Sequence, residues 1–81
     1  MEIKVLGTGC PNCKTLEKNT INALAELNIS ADVEKIEDIV KIMNYGILRT
    51  PGLVIDGNIV LSGKVPSVNE LKEIILKYKQ G

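Results

Sequence analysis

Cys10 and Cys13 are the only two cysteines of the chain, and they are separated by Pro11 and Asn12. A thiol pair at this spacing suits disulfide exchange, and it also suits a soft metal ion such as Cu(I). The chain has no histidine, so the pair supplies only half of a tetrahedral zinc site. A structural disulfide here would close a very short loop and constrain little of the unfolded chain. The spacing alone leaves redox chemistry and soft-metal binding open.

The segments around the pair predict how the two thiols are positioned. Residues 2–6 form a short apolar strand, and Gly7 and Gly9 lie in the turn that follows it. Pro11 suits the first position of a helix, which makes Cys10 its N-cap. From Cys13 onward an apolar stripe continues at spacings of three and four to a helix end near Asn28. We therefore expect Cys10 at the helix tip as the attacking thiol, and Cys13 on the buried face as the resolving one.

The rest of the chain predicts a β-α-β-α-β-β-α order. Residues 31–36 alternate as a strand, and residues 38–45 form a short helix whose inner face is Ile39, Ile42 and Met43. Strands at 52–55 and 59–61 flank an Asp-Gly turn, which is a strong hairpin signal. Ser67 and Glu70 form a capping box before a terminal helix with an inner stripe of Val68, Leu71, Ile74, Ile75 and Tyr78.

These elements predict an α/β fold with a four-stranded mixed sheet in the order second, first, third, fourth strand. The first two strands are joined by a helix, so they should run parallel with a right-handed crossover. Helices should cover both faces, because the strands carry apolar residues on both. At 81 residues we expect one domain spanning 1–81.

The charge balance and the hydrophobic pattern of the chain indicate which kinds of partner and which cellular compartment to expect. Ten basic residues balance ten acidic ones, which argues against nucleic acid or an acidic membrane as a partner. The opening residues are too charged for a signal peptide, and no apolar run approaches membrane length. We therefore expect a cytoplasmic monomer. In a reducing cytosol a close cysteine pair is catalytic or metal-binding more often than structural.

The segments Gly7–Cys13, Thr50–Gly57 and 62–67 together resemble the thioredoxin fold in its minimal, glutaredoxin-sized form. More narrowly, the whole chain is similar to the small prokaryotic redox-active disulfide proteins. The resemblance implies a thiol–disulfide oxidoreductase that reduces protein disulfides and needs no metal or organic cofactor. It also implies a cis peptide bond between Thr50 and Pro51, opposite the cysteines. The implied active-site and substrate-binding loops then comprise Thr8, Gly9, Pro11, Asn12, Thr50 and Pro51.

The chain departs from that family pattern at three positions. Lys4 stands where thioredoxins place a buried carboxylate, and Gly9 stands where they place a tryptophan. Ser62-Gly63 stands where glutaredoxins carry a glutathione-binding Gly-Gly, so we expect a thioredoxin-reductase-like electron donor rather than glutathione.

Three charged side chains are candidate modulators of the thiols. Lys14 in the first helical turn adds positive charge near Cys10, while Glu17 and Lys4 are candidates for assisting Cys13. The alternative for Glu17 and Lys4 is that they are solvated flanking residues.

Two other functions remain open at this point. The cysteine loop resembles that of copper chaperones, but those domains run β-α-β-β-α-β, whereas here a helix at 38–45 separates the second and third strands. A redox-controlled adaptor, which changes partner on oxidation, is the remaining class.

Overall fold

Four strands and three helices lie in the residues that the computed structural model describes, which are 1–9, 11–47 and 49–80. In chain order they are β1 (Glu2–Leu6), α1 (Pro11–Leu27), β2 (Asp32–Ile36), α2 (Ile39–Asn44), β3 (Gly52–Ile55), β4 (Asn58–Ser62) and α3 (Val68–Gln80). This is the predicted order, and each predicted strand and helix is present. Within these residues no helix combines the length and the hydrophobicity that a membrane crossing requires.

The sheet has the order β2-β1-β3-β4, as predicted. β1 and β2 run parallel, with Leu6 opposite Ile36, because the α1 crossover returns the chain to the same end of the sheet. β1 and β3 run antiparallel, with Leu6 opposite Gly52. β3 and β4 form the hairpin, whose turn residues Asp56 and Gly57 have positive φ angles of 49° and 84°. Those angles are the ones that an Asp-Gly turn supplies.

The two faces of the sheet carry separate apolar clusters. Successive side chains of a strand point to opposite faces, so Ile3 and Val5 lie on one side of β1 and Leu6 on the other. The larger cluster lies beneath α1 and α3 and contains Ile3, Val5, Leu16, Ala23, Leu24, Leu53, Ile55, Leu71 and Ile75. The smaller one lies on the α2 side and contains Leu6, Ile36, Ile42, Ile47 and Val54. Helices thus cover both faces, as predicted.

The buried stripe of α1 confirms its predicted periodicity. Its buried residues are Cys13, Leu16, Thr20, Ala23 and Leu24. Thr20 is fully buried, and its hydroxyl donates to the Leu16 carbonyl at 2.7 Å. That hydrogen bond offsets the cost of removing the hydroxyl from water.

The predicted inner face of α2 was wrong at two of its three positions. Ile42 is 2% exposed, but Ile39 and Met43 are 56% and 67% exposed. The helix has six residues and presents only a narrow arc to the sheet, and Ile47 and Tyr45, which follow it, fill the remaining space of the smaller cluster. Asp38 caps the helix by accepting the Val40 N–H at 2.9 Å.

The terminal helix begins with the predicted capping box. The Glu70 N–H donates to the Ser67 hydroxyl at 3.3 Å, and the Ser67 N–H donates to the Glu70 carboxylate at 3.3 Å. Leu71 and Ile75 are fully buried. Tyr78 was wrongly predicted to belong to the inner stripe: it is exposed, because it lies beside the hairpin turn at Asp56 and Asn58 rather than over the sheet.

Candidate active site

The loop between β1 and α1 is tied to the end of β2. The Gly7 N–H donates to the Ile36 carbonyl at 3.0 Å, which continues the parallel ladder by one residue past β1. Gly9 has a φ of +86°, a left-handed conformation that glycine adopts without steric cost. The strand therefore leads directly into a tight turn, and the turn opens α1 at Pro11.

Cys13 lies buried under this loop. It is 4% exposed and is held in a disulfide. A Cβ placed on Gly7 would overlap Cys13 Sγ and lie 2.9 Å from Cys13 Cβ. Gly7 is thus a packing glycine, whose missing side chain makes room for the sulfur, rather than only the turn residue that the sequence suggested.

The other residues predicted for the loop lie at the surface. Thr8, Pro11, Asn12 and Lys14 are exposed, and the Thr15 hydroxyl donates to the Pro11 carbonyl at 3.0 Å in the first turn of α1. The predicted attacking thiol, Cys10, falls outside the described residues.

The Thr50–Pro51 segment lies beside this loop, at the same edge of the sheet. Leu6 pairs with Gly52, so the residues following β1 and those preceding β3 are neighbours. The Thr50–Pro51 peptide bond is cis, which confirms what the family resemblance implied. Pro51 is buried and Thr50 is exposed.

The end of β4 holds the Thr50–Pro51 segment in place. The Gly63 N–H donates to the Pro51 carbonyl at 2.7 Å, and the Ser62 hydroxyl donates to the Arg49 carbonyl at 3.1 Å. The Arg49 side chain also packs over Gly63, whose added Cβ would lie 3.0 Å from Arg49 Cβ. Ser62-Gly63 is therefore engaged within the chain.

Two of the three predicted charged modulators have partners away from the thiols. Lys4 lies on the α2 side of β1, and a hydrogen bond to the Tyr45 side chain raises the pKa of Lys4, with further contributions from the charges of Tyr45, Glu34 and Glu2. Glu17 forms an ion pair with Lys35, in which Glu17 Oε1 lies 3.8 Å from Lys35 Nζ. The assistance that Lys4 and Glu17 would give to Cys13 stays a prediction, as does the role of Lys14.

Glu37 is a charged neighbour of the loop that the sequence analysis missed. Its Oε2 lies 3.3 Å from the point where a Cβ on Gly9 would sit. The signal was present in the predicted topology, because the residues that follow two adjacent parallel strands meet at one edge of the sheet. Among the described residues, no group of three or more His, Cys, Asp or Glu side chains is arranged to hold a metal ion.

The buried cysteine at the start of the helix after β1 matches the predicted periodicity, and the cis-proline before β3, at the same end of the sheet, matches the resemblance. The family model described as "Thioredoxin domain" matches residues 1–76. The chain belongs to the thioredoxin family. It is 44% identical over 75 residues to a protein named thioredoxin from Methanothermobacter thermautotrophicus, an alignment that covers 93% of this chain and 97% of that one.

A second thioredoxin gives the same result. The chain is 40% identical over 79 residues to a thioredoxin from Methanocaldococcus jannaschii, with 98% of this chain and 91% of the relative aligned. The predicted fold and activity are confirmed: this thioredoxin-like chain is a thiol–disulfide oxidoreductase. The comparisons give no support to the copper-carrier alternative.

Proposed function

We propose that Cys10 attacks a protein disulfide and that Cys13 resolves the mixed disulfide. The observation that carries this order is the burial of Cys13. Cys13 is 4% exposed, and Gly7 packs against its sulfur. A disulfide of a folded substrate protein therefore cannot reach Cys13 Sγ. The chain has one other cysteine, so attack on the substrate falls to Cys10.

The proposed reaction proceeds in two exchanges. The Cys10 thiolate attacks one sulfur of the substrate disulfide, the substrate S–S bond breaks, and the released thiolate takes a proton. The Cys13 thiolate then attacks Cys10 Sγ, which releases the second substrate thiol and forms the Cys10–Cys13 disulfide. Two electrons pass from the dithiol to the substrate. A reductase returns two electrons and two protons to regenerate the dithiol.

The substrate surface in this proposal is formed by the two loops at the same edge of the sheet. Thr8, Pro11, Asn12 and Thr50 are exposed and Gly9 is half-buried, so all five are accessible beside the thiol pair. Among the described residues, no hydrogen bond engages the backbone of Thr50. An extended substrate segment next to the reacting cysteine pairs with those backbone groups.

The electron donor in this proposal is a thioredoxin-reductase-like flavoprotein rather than glutathione. Support comes from the end of β4, where Ser62 and Gly63 donate to the carbonyls of Arg49 and Pro51 and are thereby committed within the chain. The protein works as a cytoplasmic monomer through its own thiols, without a metal or organic cofactor, and requires neither nucleic acid nor a membrane.

Single serine variants test the order of attack. Cys10→Ser abolishes the reduction of a protein disulfide, whereas Cys13→Ser forms a stable mixed disulfide with the substrate, detected by intact mass spectrometry. The Cys10→Ser/Cys13→Ser double variant, which retains neither thiol, is the control for non-covalent association. An adduct trapped by Cys10→Ser instead would reverse the assignment.

The donor is tested separately by regeneration of the oxidised protein. With a flavin thioredoxin reductase and its reductant, the dithiol returns at a rate that supports repeated substrate turnover. With glutathione alone, regeneration is slower. A glutathione-driven cycle that is as fast as the reductase-driven one would show that the donor is wrong while leaving the thiol chemistry intact.

A further inference from the structure

α2 presents an apolar surface to solvent, formed by Ile39, Val40 and Met43, which are 56%, 61% and 67% exposed. At about 100° per residue these three side chains span an arc of roughly 100° on one side of the helix. Ile42, which is 2% exposed, points away from that arc and holds the helix on the sheet. Contiguous exposed apolar side chains of this kind mark interaction sites in soluble proteins. We call these three residues the α2 apolar surface.

The α2 apolar surface is continuous with the redox loop. The Gly7 N–H is bonded to the Ile36 carbonyl at 3.0 Å, and the Glu37 carboxylate lies against Gly9. Only Asp38 separates Glu37 from Ile39, the first residue of α2. Glu37 and the start of α2 therefore lie next to the loop at which a substrate disulfide docks.

The negative charge of Glu37 beside the α2 apolar surface favours a partner with a positive charge at that point. Glu37 is exposed and lies between the loop and the apolar side chains, while the neighbouring Asp38 carboxylate is engaged by the Val40 N–H at 2.9 Å. Around the helix axis, the Lys41 side chain lies about 100° or more from the side chains of the α2 apolar surface, so its positive charge is on another side of the helix. The segment that leads from the loop into α2 is thus acidic at Glu37, and the helix surface beyond it is apolar.

We propose that Glu37 and the α2 apolar surface bind the polypeptide next to the reacting disulfide of a protein substrate. They favour substrates with a Lys or Arg adjacent to the cysteine and a large apolar residue beyond it. This inference rests on the proposed function, because the substrate disulfide must first dock at the Cys10–Cys13 loop. It extends the substrate contact from the two loops onto α2.

Two synthetic peptides test the proposal. Each carries one cysteine in a mixed disulfide with 2-nitro-5-thiobenzoate, flanked in one peptide by Lys and Leu and in the other by Glu and Ser. Exchange with the reduced full-length protein releases the coloured thiolate, which stopped-flow absorbance follows. We expect the Lys/Leu peptide to react about tenfold faster, equivalent to ~1.4 kcal/mol, with contributions from the charge of Glu37 and from apolar burial on α2.

Variants of the protein test whether Glu37 and the α2 apolar surface cause the preference for the Lys/Leu peptide. Val40→Ser/Met43→Ser and Glu37→Gln should each reduce the ratio of the two rates to about threefold or less. The matched control is Ile21→Ser, which removes an apolar side chain that is 49% exposed on α1, and it should keep the full ratio. Because the ratio compares two peptides on one protein, a change in intrinsic thiol reactivity in Glu37→Gln cancels.

The outcomes separate this proposal from the function on which it rests. Equal rates for the two peptides with the wild-type protein, or an unchanged ratio in the α2 variants, would overturn the docking surface and leave the oxidoreductase intact. Sedimentation showing that wild type dimerises and that Val40→Ser/Met43→Ser does not would assign the surface to a second copy instead. No exchange with either peptide would overturn the proposed function itself. A Met43→Lys variant provides a second test, since the added charge should favour the Glu/Ser peptide.

Discussion

Replacement of Gly7 by alanine should destabilise the protein through a clash with Cys13. The added methyl group would overlap Cys13 Sγ and lie 2.9 Å from Cys13 Cβ. Both atoms belong to a fully packed position on α1, so relief requires that the helix or the loop move. Overpacking of a core costs about 1–3 kcal/mol and occasionally more, and we expect the upper end of that range, ~3 kcal/mol. For a domain of this size that corresponds to a fall in Tm of roughly 12–24 °C.

A comparison with Gly46→Ala separates this clash from a general cost of replacing glycine. Gly46 has a φ of +84° and nothing within 4 Å of an added Cβ, so its replacement costs only the left-handed conformation, roughly 1–2 kcal/mol. Gly7 has no such positive φ, and its cost is steric. Urea unfolding under reducing conditions, which removes any disulfide contribution, measures both variants.

A double-mutant cycle with Cys13 provides the decisive test. In a Cys13→Ala background the sulfur is gone and only the Cβ contact remains, so Gly7→Ala should cost ~1 kcal/mol less than in the wild type, within the range seen for residues in direct contact. A cost of Gly7→Ala no greater than that of Gly46→Ala, or an unchanged cost in the Cys13→Ala background, would rule out the clash with the sulfur.

Three further variants test other parts of the structure. Tyr45→Phe removes the hydrogen bond that raises the pKa of Lys4 above 10.5, so NMR titration should show that pKa fall. The pKa of Lys4 is raised in the folded state, so the charged lysine stabilises the fold fully at pH values below the pKa of lysine in the unfolded chain. That stabilisation is lost as the pH rises through the pKa of Lys4 in the folded state. A stability difference between wild type and Tyr45→Phe that grows above pH 10.5 would contradict this. Ser67→Ala removes the capping hydroxyl of α3 and should cost ~1 kcal/mol in thermal unfolding, while an unchanged Tm would show that the cap is dispensable. Ile75→Ala opens a cavity at a fully buried position and should cost ~2–5 kcal/mol in urea, and a loss below 1 kcal/mol would mean that α3 collapses onto the gap.

Features that depend on neighbouring residues in the chain were predictable from the sequence. The Asp56-Gly57 turn requires two positive φ angles, which this dipeptide supplies, and both are present. Ser67 and Glu70 are three residues apart, and one helical turn brings them into contact. The parallel direction of β1 and β2 and the antiparallel direction of β3 and β4 followed from the same kind of reasoning, since a strand–helix–strand unit runs parallel and a two-residue turn makes an antiparallel hairpin.

Features that depend on tertiary contacts were not predictable in the same way. Periodicity placed Ile39 and Met43 on the inner face of α2, yet this six-residue helix presents only a narrow arc to the sheet, and Ile42 is its one buried residue. The same limit applies to Gly7, because its role is set by where the sulfur of Cys13 points and not by its own backbone. Lys4 became a candidate modulator because it stands where thioredoxins place a buried carboxylate, whereas its hydrogen bond with Tyr45, on the opposite face of β1 from the stripe of α1, depends on tertiary contacts.

The register at Leu6 explains why the site contains the residues it does. Leu6 pairs with Ile36 on one side and with Gly52 on the other. The residues immediately beyond these three positions are Gly7, Glu37 and Pro51, and they are therefore brought together at one edge of the sheet. A slip of one residue in β1 would turn Ile3 and Val5 towards α2 and Lys4 into the larger cluster, where its charge would be buried at high cost. The apolar pattern that forms the core thus also specifies which backbone segment and which carboxylate lie beside the redox loop.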